Sequence, residues 1–235
     1  MPKELVAIAP RTPVLRDYEE PSLGERQIRI RTEFASPKHG TELVGYRDEP
    51  AANRSYDAAL GAVMQITEEG RARRFPMRLG NMAVGAVMEI GSHVTRFRVG
   101  ERVFGHLPIR ETQTVDEGHV DPLPDGLSAE AAVCLDPVVM ALAMRDGGIK
   151  LGDHVAVFGL GAIGLIAIQL ARLAGADLVI AVDPIAHRRE VALALGADVA
   201  LDPIAEGDVG LAIRRLTGWR SAANTPPSPE RTRVR

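Results

Sequence analysis

The chain has 235 residues, with 28 Lys+Arg against 31 Asp+Glu for a formal net charge of -3, and it is 46% hydrophobic and 25% charged. This is ordinary globular composition, which excludes an intrinsically disordered chain, and the lack of a basic surplus gives a nucleic-acid partner no support. A single cysteine, Cys134, excludes a disulfide framework and a zinc-thiolate cluster.

The first half reads as β-rich. Residues 4–9 form a short apolar strand candidate, and residues 27–32 alternate, with Ile28 and Ile30 on one face and Arg29 and Arg31 on the other. Residues 46–76 lack a clear pattern and predict a long loop with some helix. Residues 83–90 read as a strand in which Gly85 marks a bulge or a close backbone approach. Gly91 and Ser92 make a turn, and residues 102–104 a further strand. Short strands between glycine-rich turns predict a small barrel or sandwich.

After Pro122 and Pro124 the character changes. Ser128 is placed to cap a helix over residues 129–134, and Pro137 fits the first turn of a helix over 138–145 that Gly147 and Gly148 stop. From residue 154 strands and helices alternate. Residues 154–158 read as a buried strand, 162–173 as an apolar helix, 178–182 as a strand, 186–195 as a helix, 198–201 as a strand and 207–216 as a helix. That spacing predicts right-handed βαβ units on a parallel sheet.

The motif that carries chemistry is Gly159-Leu160-Gly161-Ala162-Ile163-Gly164, between the predicted strand and the apolar helix. In that context Gly159 permits the sharp turn, Gly161 lets backbone approach a pyrophosphate, and Gly164 allows close helix–sheet packing. The helix N-terminus, with Ala162 and Ile163 in its first turn, presents N–H groups to phosphate. Asp183 follows Gly164 by 19 residues, at the end of the second strand. A carboxylate there accepts ribose hydroxyls and repels a 2′-phosphate, so NAD is favoured over NADP, with Arg188 and Arg189 weakening the preference.

Several segments together resemble the medium-chain dehydrogenase/reductase superfamily, in its zinc-type alcohol dehydrogenase branch. They are RIRTEFASPKHGTEL (29–43), LGNMAVGAVMEIG (79–91), VGERVF (99–104), AAVCLDP (131–137) and the run 149–164. The resemblance spans residues 1–216. It implies an α/β chain with a β-rich N-terminal part: a GroES-like domain (1–125), then linker helices and a partial Rossmann domain (126–217). It further implies hydride transfer between an alcohol, polyol or carbonyl substrate and a nicotinamide, in dimers or tetramers.

Carried over residue by residue, the resemblance places His39 at the first zinc-ligand position and Thr41 at the hydroxyl that relays the substrate proton. The second-ligand position falls on Asn81, with Met82 beside it, and the third on Asp136. Glu42 stands at a usually acidic position. A His39–Glu42–Asp136 set can hold a metal in principle, since catalytic zinc takes three protein ligands and an open position; the alternative is polar contacts and no metal. The relay's terminal histidine position is Val44. Lys38 is expected to face solvent, the alternative being that it stabilises a developing alkoxide where zinc is missing; Cys134 is expected to be a small buried hydrophobe, and His106 to lie in a loop.

Residues 218–235 lose the apolar period and contain three prolines and four arginines. They read either as a disordered tail or as translation outside the proper frame of a GC-rich gene. With three of six Rossmann strands found, the alternative to an active dehydrogenase is an inactive relative keeping only adenosine-half nucleotide binding. Residues 1–11 lack a signal-peptide core, and no apolar run reaches membrane-spanning length, so a cytoplasmic protein with no membrane partner is expected.

Overall fold

The computed structural model describes residues 1–38 and 40–218; the expectations for His39, for Trp219 and for the tail beyond Gly218 fall outside the described residues. The chain divides into two compact units, residues 1–136 and the part from Pro137 onward.

The first unit begins with β1 (Lys3–Ala9), β2 (Thr12–Asp17) and β3 (Gln27–Ser36), followed by α1 (Thr41–Tyr46). Next come β4 (Arg54–Asp57), β5 (Ala62–Gln65), α2 (Glu68–Ala72), β6 (Met77–Arg78) and β7 (Met82–Ile90). β8 (Arg102–Gly105), β9 (Thr112–Asp116), β10 (Asp121–Pro122) and α3 (Ala129–Ala132) complete it. The strands make a five-stranded sheet in the order β10-β8-β7-β3-β9, a three-stranded sheet β2-β1-β6 and a separate β4-β5 hairpin.

The alternation in β3 has the predicted consequence. Ile28 and Ile30 are fully buried and pack with Val87, Val103 and Val120, where each buried side chain stabilises the fold by about 1.5–3 kcal/mol. Arg29, on the opposite face, is latched by Glu89 at 2.8 and 3.0 Å and by the Pro21 carbonyl at 2.9 Å. β7 is central and covered on both faces: Ala83 and Val87 enter the same core, whereas Met82 and Val84 pack against Ala132 and Val133.

Gly85 sits where β3 and β7 slip register, with Thr32 opposite Gly85 and Phe34 opposite Val84. The extra residue, Glu33, bulges β3, so a Cβ on residue 85 would lie 2.2 Å from the Arg31 carbonyl oxygen. Both expectations for Gly85, bulge and close approach, hold. Gly85→Ala should therefore cost about 1–3 kcal/mol, measurable as a lower midpoint in urea unfolding at unchanged slope.

β2, β6, β9 and the β4-β5 hairpin were not legible in the sequence. β2 (TPVLRD) and β9 (TQTVD) are polar and short; pairing with β1 and β3 makes them strands. In the hairpin, the Asp57 carboxylate accepts the Ala59 and Leu60 N–H groups at 2.9 and 3.1 Å, closing the turn from within the loop. β1 carries a buried carboxylate, Glu4, held by Arg16 at 2.8 and 2.9 Å and Arg110 at 2.8 Å. Burial raises the Glu4 pKa, but the two guanidiniums outweigh it, and the group lies below the usual glutamate range.

Ser128 caps α3 as predicted, its Oγ accepting the Ala131 N–H at 3.2 Å. α3 stops at Ala132, earlier than expected, and Cys134 is exposed rather than buried. With the helix ended, Cys134 falls outside the apolar face that Ala132 and Val133 bury. The next helix, α4 (Leu135–Leu142), starts earlier than expected and has Pro137 in its first turn. A 3-10 turn over Ala143–Gly147 ends in the left-handed Gly148.

In the second unit, β11 (His154–Phe158), α5 (Ala162–Leu173) and β12 (Leu178–Val182) match the predicted bounds. α6 (Ala186–Ala194), β13 (Val199–Leu201), α7 (Pro203–Glu206) and α8 (Val209–Thr217) follow. The last predicted helix, over 207–216, is α8, and the short α7 before it was not predicted; Asp202 caps α7 and Asp208 caps α8, each accepting first-turn N–H groups. The strands are parallel in the order β11-β12-β13. β12 is central and almost wholly buried. β11, predicted as buried, is an edge among the described strands, and its Phe158 is 64% exposed. Leu160, Ile168, Ala171, Val179 and Ala192 pack between α5, α6 and the sheet.

Candidate functional site

The glycine loop joins β11 to α5. Gly159 has φ +85°, a backbone conformation that a residue with a side chain rarely adopts, and its N–H reaches the Val182 carbonyl at 2.9 Å. The chain turns out of the strand at this point, as the motif predicts. Gly161 is the N-cap of α5, with no side chain to cap the helix, so the first-turn N–H groups stay open to an external acceptor. Gly164 is buried in that first turn, and a Cβ there would lie 2.0 Å from the Gly159 carbonyl oxygen. The tight loop therefore exists only because residue 164 lacks a side chain.

Asp183 closes the site at the end of β12 and is 3% exposed. Its Oδ2 accepts the Leu160 N–H at 2.8 Å and its Oδ1 accepts the Ile185 N–H at 2.8 Å. Burial pushes the Asp183 pKa up, but those two N–H groups and the Arg188 guanidinium, 3.5 Å from Oδ2, more than reverse it. The group is held below the usual aspartate range. Each oxygen keeps a lone pair for a further donor. The contact to Leu160 had no sequence signal: it joins residues 23 apart along the chain. The two arginines differ. Arg189 is engaged by the Asp183 carbonyl at 2.7 Å and by Asp202 at 3.1 Å, whereas the Arg188 side chain is 42% exposed.

The second cluster lies in the first unit, after β3. Gly40 precedes Thr41, which opens α1. Glu42 ties two loops together: Oε2 accepts the Lys38 N–H at 2.9 Å and Oε1 accepts the Gly80 N–H at 3.0 Å. The Asn81 N–H donates to the Ser36 carbonyl at 2.9 Å, and Met82 is buried in the core. Asp136 pairs with Lys38, Oδ1 to Nζ at 3.1 Å. Lys38 is thus not the solvent-facing side chain expected from the sequence; it is drawn to a carboxylate 98 residues away. Val44 and Gly40, with Ala51, Ala52, Arg74 and Met77, line an open recess of about 750 Å³. Arg74 braces its wall, donating to Asp48 at 2.7 Å and to the Ala52 carbonyl at 2.6 Å. His106 is exposed.

Of the residues that the resemblance assigns to zinc, His39 lies outside the described residues. Among the described residues no three His, Cys, Asp or Glu side chains converge on one point. Glu42 spends an oxygen on each of two backbone donors, Asp136 is paired with an ammonium, and an amide and a thioether stand at the second position.

Family models match both parts of the chain. The alcohol dehydrogenase GroES-like domain matches residues 55–136 and the zinc-binding dehydrogenase model residues 162–229. The chain belongs to the medium-chain dehydrogenase/reductase superfamily. The second match runs past Thr217 to residue 229, further than the sequence pattern alone carried it.

Among its dehydrogenase relatives, the D-guloside 3-dehydrogenase of Escherichia coli (strain K12) is 44% identical over 230 residues, covering 94% of this chain. The chain spans 65% of that relative's length. The crystal structure of 2R,3R-butanediol dehydrogenase from Bacillus subtilis superposes with TM-score 0.71 at 26% identity, covering 93% of this chain and 68% of that one. A Sinorhizobium meliloti 1021 zinc-binding dehydrogenase solved with NADP gives TM-score 0.66 at 26% identity, covering 87% and 63%. The fold is a GroES-like domain followed by a Rossmann-type domain. No helix among the described residues is long and apolar enough to cross a membrane.

Proposed function

We propose that the chain serves a nicotinamide-dependent oxidoreductase that interconverts a secondary alcohol of a polyol or sugar and the corresponding ketone. The substrate class is supported by the 44% identity to the D-guloside 3-dehydrogenase and by the likeness to a butanediol dehydrogenase. The observation that carries the reading is the joined geometry of Gly159–Gly164 and Asp183. A nicotinamide, when bound, supplies the hydride acceptor or donor. The chain's own residues hold the adenosine half: the open N–H groups from Gly161, Ala162 and Ile163 onward face the pyrophosphate, and the Asp183 carboxylate accepts the ribose hydroxyls. Gly159 and Gly164 keep the loop tight enough for both. Thr41 is assigned the hydroxyl that passes the substrate proton, with His39 beside it in sequence.

NAD is the preferred cofactor. A 2′-phosphate at Asp183 would meet a buried carboxylate held ionised by two backbone N–H groups, and among the described residues the exposed Arg188 is the cationic neighbour with room to respond. Calorimetric titration of the 235-residue chain with NADH, NADPH and ADP-ribose tests this. NADH and ADP-ribose should bind alike, and NADPH at least about tenfold more weakly, a difference of about 1.4 kcal/mol. Equal binding of NADPH would overturn the preference, and no binding of ADP-ribose would overturn the site.

A second reading rests on the sheet itself. The described residues contribute three parallel strands, β11-β12-β13, and a dinucleotide fold uses six. They hold the adenosine half of such a site, so this stretch alone should bind ADP-ribose with little turnover of NAD and a polyol.

A further inference from the structure

Glu42 and Lys38 tie three segments of the first unit together. Lys38 follows β3, Gly80 and Asn81 precede β7, and Asp136 lies in the first turn of α4. Glu42 clamps the first two together through its paired acceptors, which fixes the backbone from which Lys38 projects. The Lys38 Nζ then lies 3.1 Å from Asp136 Oδ1, with the carboxylate side chain only 16% exposed and the lysine 35%.

We propose that the Lys38–Asp136 ion pair occupies the position of a catalytic metal in this domain, and that the domain works without one. Zinc binds a carboxylate oxygen at about 2.0–2.2 Å. A zinc ion on the paired oxygen of Asp136 would therefore sit within about 5 Å of the ammonium, two cations competing for one partly buried carboxylate. Among the described residues little compensates. Each Glu42 oxygen already accepts a backbone N–H, Asn81 is a neutral amide, and the Met82 side chain is turned into the core with Ala132 and Val133. An ammonium is a compact point charge with three donors; one serves Asp136 and two remain. The fixed positive charge at this point is thus covalently part of the chain.

The inference deepens the oxidoreductase reading by making it independent of metal. Its readouts are metal content and melting, so its failure is distinguishable from a failure of nucleotide binding. The 235-residue chain is expressed with added zinc, dialysed and analysed for metal. In parallel, Tm is measured for Lys38→Met, Asp136→Asn and the double variant. The expected result is less than one zinc per ten chains, with each single variant lowering Tm and the double variant no worse than the more damaging single. Lys38→Arg, which keeps the charge, should recover much of the loss and serves if Lys38→Met fails to fold. Zinc near one per chain that disappears in Asp136→Asn overturns the proposal. So do additive Tm shifts, which would mean that the two side chains do not interact. Zinc near one per chain that persists in Asp136→Asn overturns it too, since the chain then holds a metal without that carboxylate.

Discussion

Gly164→Val should destabilise the second unit by upwards of about 3 kcal/mol and reduce nucleotide affinity at least about a hundredfold, or about 2.7 kcal/mol. The missing hydrogen-sized gap is the reason. A Cβ at residue 164 would lie 2.0 Å from the Gly159 carbonyl oxygen. That atom belongs to backbone already committed, because the Gly159 N–H is bonded to the Val182 carbonyl. The clash cannot be relieved by a rotamer change; either α5 lifts from the sheet or the loop opens. Lifting α5 strips contacts from Ile168 and Ala171, both fully buried; opening the loop spoils the N–H array. Gln169→Val, on the exposed side of the same helix, should shift stability by no more than about 0.5 kcal/mol. Urea unfolding and NADH titration of both variants check this, and wild-type values for Gly164→Val would show that the loop is slack.

Asp183→Ala should cost about 2–3 kcal/mol of stability, chiefly because the Leu160 N–H loses its partner in a fully buried setting. It should also lower NADH affinity about tenfold or more. Asp183→Asn removes the charge but keeps the shape, and should narrow the gap between NADH and NADPH by about tenfold. The pH dependence has a definite sign. The folded-state pKa of Asp183 is depressed, so its contribution is fully present above the unfolded value of about 3.9. It is lost as the pH falls below that value and through the folded pKa. Wild type and Asp183→Ala should therefore converge in stability below about pH 4 and separate above it. An unchanged separation down to pH 2 would mean that the carboxylate is not the origin of the effect.

The elements that were legible before the structure are those whose sequence and burial share one period. β3 alternates apolar and charged residues, β11, α5 and β12 are apolar runs, and glycine stands beside β11 and α5; those signals are local. β2, β9 and the β4-β5 hairpin are polar and short. They are strands because a neighbour, β1 or β3, or an Asp57-closed turn, supplies the missing hydrogen bonds. The exposure of Phe158 likewise follows from the position of β11 at the edge of the described strands and not from its composition, which reads as buried.

The candidate site divides in the same way. The amino-acid sequence by itself determined the glycine loop between β11 and α5, since Gly159 and Gly164 stand where the backbone geometry favours glycine. Tertiary structure alone decided the partners of the charged groups. Asp183 binds the Leu160 N–H across 23 residues, and Lys38 finds Asp136 across 98. A lysine in a loop carries no local sign of its counter-ion, because an ion pair depends on distance in space, which the packing of α3 on β3 and β7 sets. The same 235 residues and net charge of -3 that read as unremarkable therefore contain two carboxylates with different partners. Asp183 accepts two backbone N–H groups, and Asp136 holds a lysine in place.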